Sequence, residues 1–295
     1  MKKCKITVCM AVLAMVLSGC RRHIETYEYK VDESGNINSK ISDCMMIDVK
    51  QPDYRQSGDM LQYYEKCSML YIDPDKVSQV FEIPKDDIYI NDGIVYYNKD
   101  EFNTETCVPD ENVTEEGSNI TQDGFVFFSE CLNCFDINIC DWYNTQMIRS
   151  ENGDEIYYIK MYQEQNNFKI YDGLHGKFEN RSMVYGTYIE IYFDKNNIYR
   201  LTINNVINIG KGKSDKEIVE VSEILDRIIY TYGRIISSDT YIIKNIEIQY
   251  TAFKESSGSM SLKPVWVVEC DIIQENGTVY SINILYDGYT GREVI

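Results

Sequence analysis

Apolar positions along this chain recur with two periods, and the periods divide it. From residue 214 onward the pattern is clearest. Ile218, Val221, Leu225, Ile228 and Tyr232 fall on one face of a helix. Ser214-Asp215-Lys216-Glu217 ahead of them reads as a capping box, and Gly233 as a stop. The period then changes to two. Ile246, Ile248, Tyr250 and Ala252 alternate with polar residues, Val265 to Ile273 is almost continuously apolar, and Tyr280, Ile282, Ile284 and Tyr286 alternate again. Asn276-Gly277 is a hairpin turn signal, and Asp287 to Gly291 is a second turn. The pattern predicts one helix packed on a three-stranded antiparallel meander, which buries the apolar face of each.

Upstream the signals are shorter. The spacing of Met60, Tyr63, Tyr64, Cys67, Leu70 and Tyr71 predicts a helix over 59–71, and Pro74 predicts the start of another carrying Val77, Val80 and Phe81. Ile88–Ile90 and Ile94–Tyr97 flank a turn at Asn91-Asp92-Gly93. Thr104 to Asn119 is acidic without periodicity and reads as a mobile loop. Ile156–Tyr162 with Phe168–Tyr171, and Tyr188–Phe193 with Ile198–Ile203, read as two antiparallel hairpins. The fold expected is α+β: antiparallel sheets with few helices. Its divisions are a leader at 1–19, a polar tether at 20–57 with a first strand near 41–49, a β-rich α+β domain at 58–210, and the C-terminal module at 214–295.

The leader changes the picture from fold to location. Lys2, Lys3 and Lys5 precede an uncharged run from Ile6 to Leu17, and Leu17-Ser18-Gly19 leads into Cys20. The run is shorter than the roughly 20 residues a membrane span needs. These four residues resemble the bacterial prolipoprotein signal. That resemblance implies a diacylglyceryl group on the Cys20 thiol, cleavage after Gly19, and a protein held by lipid at the extracytoplasmic face of the membrane. Two or more acyl chains make such anchoring stable, where one is marginal. Arg21 and Arg22 follow, placed to meet anionic headgroups.

At the other end, Pro264-Val265-Trp266, a hairpin, and Asp287-Gly288-Tyr289-Thr290-Gly291-Arg292-Glu293-Val294-Ile295 resemble the P-x-W … D/N-A-x-T-G-x-x-I ending of PepSY-like domains and of YycH/YycI-type extracytoplasmic regulators. The same ending occurs in uncharacterised lipoproteins of low-GC Gram-positive bacteria, the group that also carries a lipobox. Gly288 stands where that pattern has alanine. The resemblance implies contact with a protein or peptide and supplies no catalytic residues. Pro264, Trp266, Asp287 and Gly291 read as structural: a strand start, a core aromatic and turn residues.

Charge narrows the partners. The chain carries a net charge of −18, and its leader is basic, so the remainder is more acidic still. That argues against nucleic acid as a natural ligand. No segment has the spacing of a calcium loop. Seven cysteines lie beyond Cys20: Cys44, Cys67, Cys107, Cys131, Cys134, Cys140 and Cys270. Cys131-Leu132-Asn133-Cys134, with Cys140 beyond, reads first as structural thiols or a disulfide, and has the spacing also of a redox pair or a partial metal site. It lacks a thioredoxin-like strand-then-helix setting, and zinc would need Cys107 or Asp136 as a fourth ligand. His23 reads as solvated and His175 as a loop residue. No nucleophile elbow, metalloprotease motif or phosphate loop occurs. Tyr188, Tyr192 and Tyr199 serve either as strand formers or as a recognition platform. The reading is a non-enzymatic binding or regulatory protein of the cell envelope without metal or cofactor. The alternative is a thiol-disulfide or metal-binding protein using Cys131, Cys134 and Cys140.

Overall fold

The fold was analysed in a computed structural model. It describes residues 31–32, 35–50, 61–91, 93–99, 102–109, 115–141, 143–150, 153–173, 177–178, 181–183, 186–213, 217–233, 237–254 and 259–294. The lipobox, Cys20, Met60, His23, His175 and Ser214 to Lys216 lie outside the described residues.

The described residues are α+β, with three α-helices and sheets that are antiparallel save for one parallel pairing. The larger sheet takes its strands from both ends of the chain. Along it lie Asn36–Ser42, Met45–Lys50, Thr240–Lys254, Met260–Ile273, Val279–Asp287 and Glu293–Val294. Met45–Lys50 meets Thr240–Lys254 in parallel, Tyr241 opposite Met45. Tyr63–Met69 joins the same sheet through Met260–Ile273, and Lys211–Lys213 pairs with it in turn. The sheet that holds the C-terminal strands thus also holds 36–50 and 63–69.

Tyr63–Met69 is a strand, where the spacing predicts a helix. A bulge explains the difference. Met260 faces Cys67 and Ser261 faces Glu65, so Lys66 is an extra residue, held at φ 58°. The inserted residue brings Tyr64 and Cys67 to the same buried side, three apart, as a helix would.

Helix α1 is Pro74–Phe81. Asp73 caps it by accepting from the Asp75 backbone N–H, and Glu82 ends it at φ 53°. Helix α2 is Glu115–Asn133, beginning inside the segment that reads as a loop. Helix α3 is Val221–Tyr232, starting later than the capping box predicts. The Val219 N–H donates to the Gly288 carbonyl and the Trp266 indole donates to the Val219 carbonyl, so the chain is held out of helical geometry until Glu220. Val221, Ile224, Leu225, Ile228 and Ile229 share one buried cluster with Trp266, Val268, Cys270 and Ile284.

The second sheet has seven strands in the order Ile88–Asn91, Ile94–Asn98, Ile198–Asn204, Tyr188–Phe193, Glu155–Met161, Asn144–Arg149, Val108–Pro109. The hairpin of Tyr188–Phe193 with Ile198–Asn204 forms as expected. Glu155–Met161 instead lies between Asn144–Arg149 and Tyr188–Phe193. Phe168–Lys169 turns back on Glu164–Gln165 across Asn166 and Asn167, both at positive φ. That small hairpin reaches the larger sheet: Gln165 and Asn166 donate to the Tyr64 hydroxyl, and the Tyr171 N–H donates to the Tyr250 carbonyl. Phe81, Phe128, Leu132, Ile159, Ile191 and Phe193 are among the residues of the core that α1 and α2 form with this sheet.

Candidate functional site

The sequence of α2 shows why a groove forms beside it. Gly117, Thr121, Gly124, Phe128 and Cys131 are buried, at helical spacing on one face. Glycine inside a helix costs about 1 kcal/mol relative to alanine, and at Gly124 a neighbouring ring requires it. A Cβ there would lie 2.5 Å from Cζ of Phe193. Phe193 therefore rests against the helix backbone, edge-on to Phe128 with ring centroids 5.0 Å apart.

The result is a groove of about 830 Å³ between the end of α1, the middle of α2 and the Asp194–Asn197 turn. Phe81, Tyr97, Phe127, Phe128, Phe193 and Ile198 supply apolar lining; Glu82, Asp87, Lys99, Asp123, Asp194 and Lys195 supply charge. Phe127 is 49% exposed and packs edge-on to Phe128. The turn that forms one wall is held by a carboxylate. Asp194 Oδ1 accepts from the N–H groups of Asn196 and Asn197 at 2.7 Å each, and Oδ2 accepts from the Tyr199 hydroxyl at 2.6 Å. Burial pulls this carboxyl upward, but those hydrogen bonds outweigh it and leave it below its ordinary value. Lys99 Nζ donates to Asn197 Oδ1 at 2.7 Å and lies over the Tyr199 ring.

The three clustered cysteines in the sequence are not equivalent. Cys131 is buried in the last turn of α2, its thiol directed at the Val80 carbonyl. Burial, aided by the charges of Cys134, Glu130 and Glu82, pushes it up to about 11. Cys140 is buried beside the Gln163 carbonyl, and burial pushes it up to about 12. Cys134 is exposed, with its thiol on the Glu130 carbonyl. Cys131 sits in the last turn of its helix, where the dipole opposes a thiolate; activation uses the other end. The seven described cysteines are free, and no group of three or more His, Cys, Asp or Glu is placed to hold a metal among the described residues.

Tyr188, Tyr192 and Tyr199 are half-buried, engaged with their own sheet. Lys160 lies 4.6 Å over Tyr188, Tyr192 packs against Tyr158 and Phe102, and Tyr199 bonds Asp194. The C-terminal motif residues hold backbone. Asp287 Oδ1 accepts from the N–H groups of Tyr289 and Thr290 and from the Thr290 hydroxyl. Gly291 has φ 61°, and a Cβ on it would meet Arg227. Pro264 lies inside its strand, not at its start: Leu262 pairs with Tyr64 and Val265 with Asp287, so the proline marks where the strand changes neighbour. Gly288 fits here because a Cβ would lie 2.8 Å from the Pro264 carbonyl oxygen.

Sequence reasoning missed the groove, because the helix that supplies Ile120 to Phe128 begins inside the segment read as a loop. The signal was present in the spacing of Gly117, Thr121, Gly124, Phe128 and Cys131, hidden because three of the five are not large apolar residues.

The chain matches no protein-family model and no curated protein. Among solved structures it is similar to an uncharacterised protein from Eubacterium rectale ATCC 33656, with a TM-score of 0.61 and 16% identity, covering 91% of this chain and 95% of that one. The likeness is one of fold.

Proposed function

We propose that this chain is a lipid-anchored, extracytoplasmic binding protein, non-enzymatic, which recognises a protein or peptide through the groove beside α2. The observation that carries the reading is the groove itself: an aromatic lining with an exposed Phe127 and a charged rim, on a rigid sheet-and-helix wall. Concave, largely apolar sites with a few charged groups are the usual form of a ligand site. The anchor is the diacylglyceryl group on Cys20, with Leu17-Ser18-Gly19 as the cleavage signal. The C-terminal unit, α3 over Thr240–Lys254, Met260–Ile273 and Val279–Asp287, is read as the PepSY/YycI-like module.

What weighs against thiol exchange is the setting of the thiols: the buried ones are hard to ionise and the exposed one stands at a helix C-terminus. The test has two arms. Changing Cys20→Ser is expected to move the protein from the membrane fraction to the soluble or uncleaved pool. A photo-crosslinking side chain at Phe127 is expected to label a defined envelope protein or peptide in intact cells, and one at exposed Val279 is not. No adduct at either position would overturn the binding reading.

A further inference from the structure

We infer that the groove takes an extended, cationic segment of a partner protein, with an apolar side chain against Phe127 and lysine or arginine on Glu82, Asp87 and Asp123. This rests on the groove being a peptide site and adds the chemistry of its ligand. The first argument is charge. Four acids and two lysines line the groove. Asp194 is spent inside its own turn, and Lys99 is held by Asn197. Among the described residues, Glu82, Asp87 and Asp123 line the groove without an ion pair or a side-chain hydrogen bond. The cations closest to them in sequence face elsewhere: Lys85 pairs with Asp75, and Lys76 bonds the Cys134 carbonyl. Lys99 and Lys195 keep their charge, so four acids and two lysines leave the lining at a net −2, with the three unpaired carboxylates together on the α1 and α2 side, and such a groove favours cations.

The second argument is the neighbouring backbone. Asp87 leads directly into Ile88–Asn91, the edge strand of the seven-stranded sheet. Tyr89 and Ile90 on that strand are 65% and 43% exposed. An outer edge with apolar side chains is a template for an added strand, and strand addition gives main-chain affinity with side-chain pockets for specificity. A chain added there would pass Asp87, where the edge strand meets the groove lining. A second copy fits poorly, because it brings the same acidic groove and a net charge that, without the basic leader, is more negative than the −18 of the whole chain.

The experiment uses the full lipidated chain in nanodiscs of zwitterionic lipid and three labelled peptides of one alternating pattern, with Lys, Gln or Glu between Phe and Val. Fluorescence anisotropy is expected to rank Lys above Gln by about tenfold, the order for three exposed ion pairs, with Glu weakest. The advantage is expected to vanish in the triple variant Glu82→Gln, Asp87→Asn, Asp123→Asn, with Gln-peptide affinity and thermal unfolding unchanged. Equal binding of the Lys and Gln peptides would overturn the charge inference and leave peptide recognition standing; no binding of any peptide would overturn both. An advantage that survives the triple variant would place the site elsewhere. Tighter Lys-peptide binding after Arg21→Ser with Arg22→Ser would make the chain's own basic segment the occupant, and a dimer lost in the triple variant would make it a second copy. Either would overturn the partner assignment.

Discussion

The indole Nε1 of Trp266 donates a 3.0 Å hydrogen bond to the carbonyl of Val219, tying the central strand of the larger sheet to the residue that leads into α3. The ring is fully buried, so the same side chain fills the core and fixes where the helix begins. Replacing it separates the two roles. Trp266→Phe keeps an aromatic core but leaves the Val219 carbonyl without its donor, at a cost of about 1–3 kcal/mol. Trp266→Ala removes the packing as well and is expected to cost about 3–5 kcal/mol. Urea unfolding midpoints measure both, and equal midpoints for Phe and Trp would show that the hydrogen bond contributes nothing.

Gly124→Ala opposes helix propensity to packing. Alanine is the better helix former by about 1 kcal/mol, yet its Cβ would lie 2.5 Å from Phe193. Overpacking of this kind costs about 1–3 kcal/mol, so the variant is expected to unfold at lower temperature and to bind groove ligands more weakly. Asn119→Ala, on the exposed face of the same helix, is expected to be neutral or slightly stabilising. A Gly124→Ala protein more stable than the parent would show that Phe193 yields.

The thiols are expected to react in the order of their burial. With iodoacetamide at neutral pH, Cys134 is labelled fast and Cys131 and Cys140 slowly. Their raised values also set a pH dependence. The unfolded thiols ionise near 9.0, the folded ones at about 11 and 12. Between these values the unfolded state holds fewer protons than the folded state, so stability is intact below about pH 9 and falls as pH rises through that window. Changing both to Ala is expected to flatten the alkaline decline, read as the unfolding midpoint against pH.

Asp194 acts in the opposite direction. Its carboxyl lies below its unfolded value of 3.8, so its contribution is present above that pH and is lost as pH falls through the lower, folded value. Asp194→Asn is expected to loosen the 194–197 turn and to weaken the acid dependence of unfolding. Amide exchange at Asn196 and Asn197, whose N–H groups bond this carboxylate, is expected to rise in the variant.

Local chemistry was legible wherever a short segment decides its own geometry. Asp73-Pro74 starts α1 as its capping chemistry requires. The Asp194–Asn197 turn closes the hairpin that its flanking alternation predicts, and Val265 to Ile273 is the apolar strand it reads as. The α+β class follows from those pieces. The groove was not legible, because its walls come from residues about 110 positions apart and its α2 side presents Gly124 where a helix normally shows a large apolar residue.

The sequence by itself determined the local elements whose signals are contained within a turn or a cap, and it carries the Leu17-Ser18-Gly19-Cys20 run on which the proposed anchor rests. Tertiary structure decided the rest through close contact between distant segments. Tyr64 and Cys67 share a face because Lys66 bulges out against Met260 and Ser261, a spacing that in the chain alone is indistinguishable from a helix. Val219 lies outside the helix because Trp266 and Gly288 hold it, against a capping box written a few residues earlier. Gly124 is explained only by Phe193. In each case a contact supplied from far along the chain outweighs a local preference of about 1 kcal/mol, which is the scale on which propensities operate.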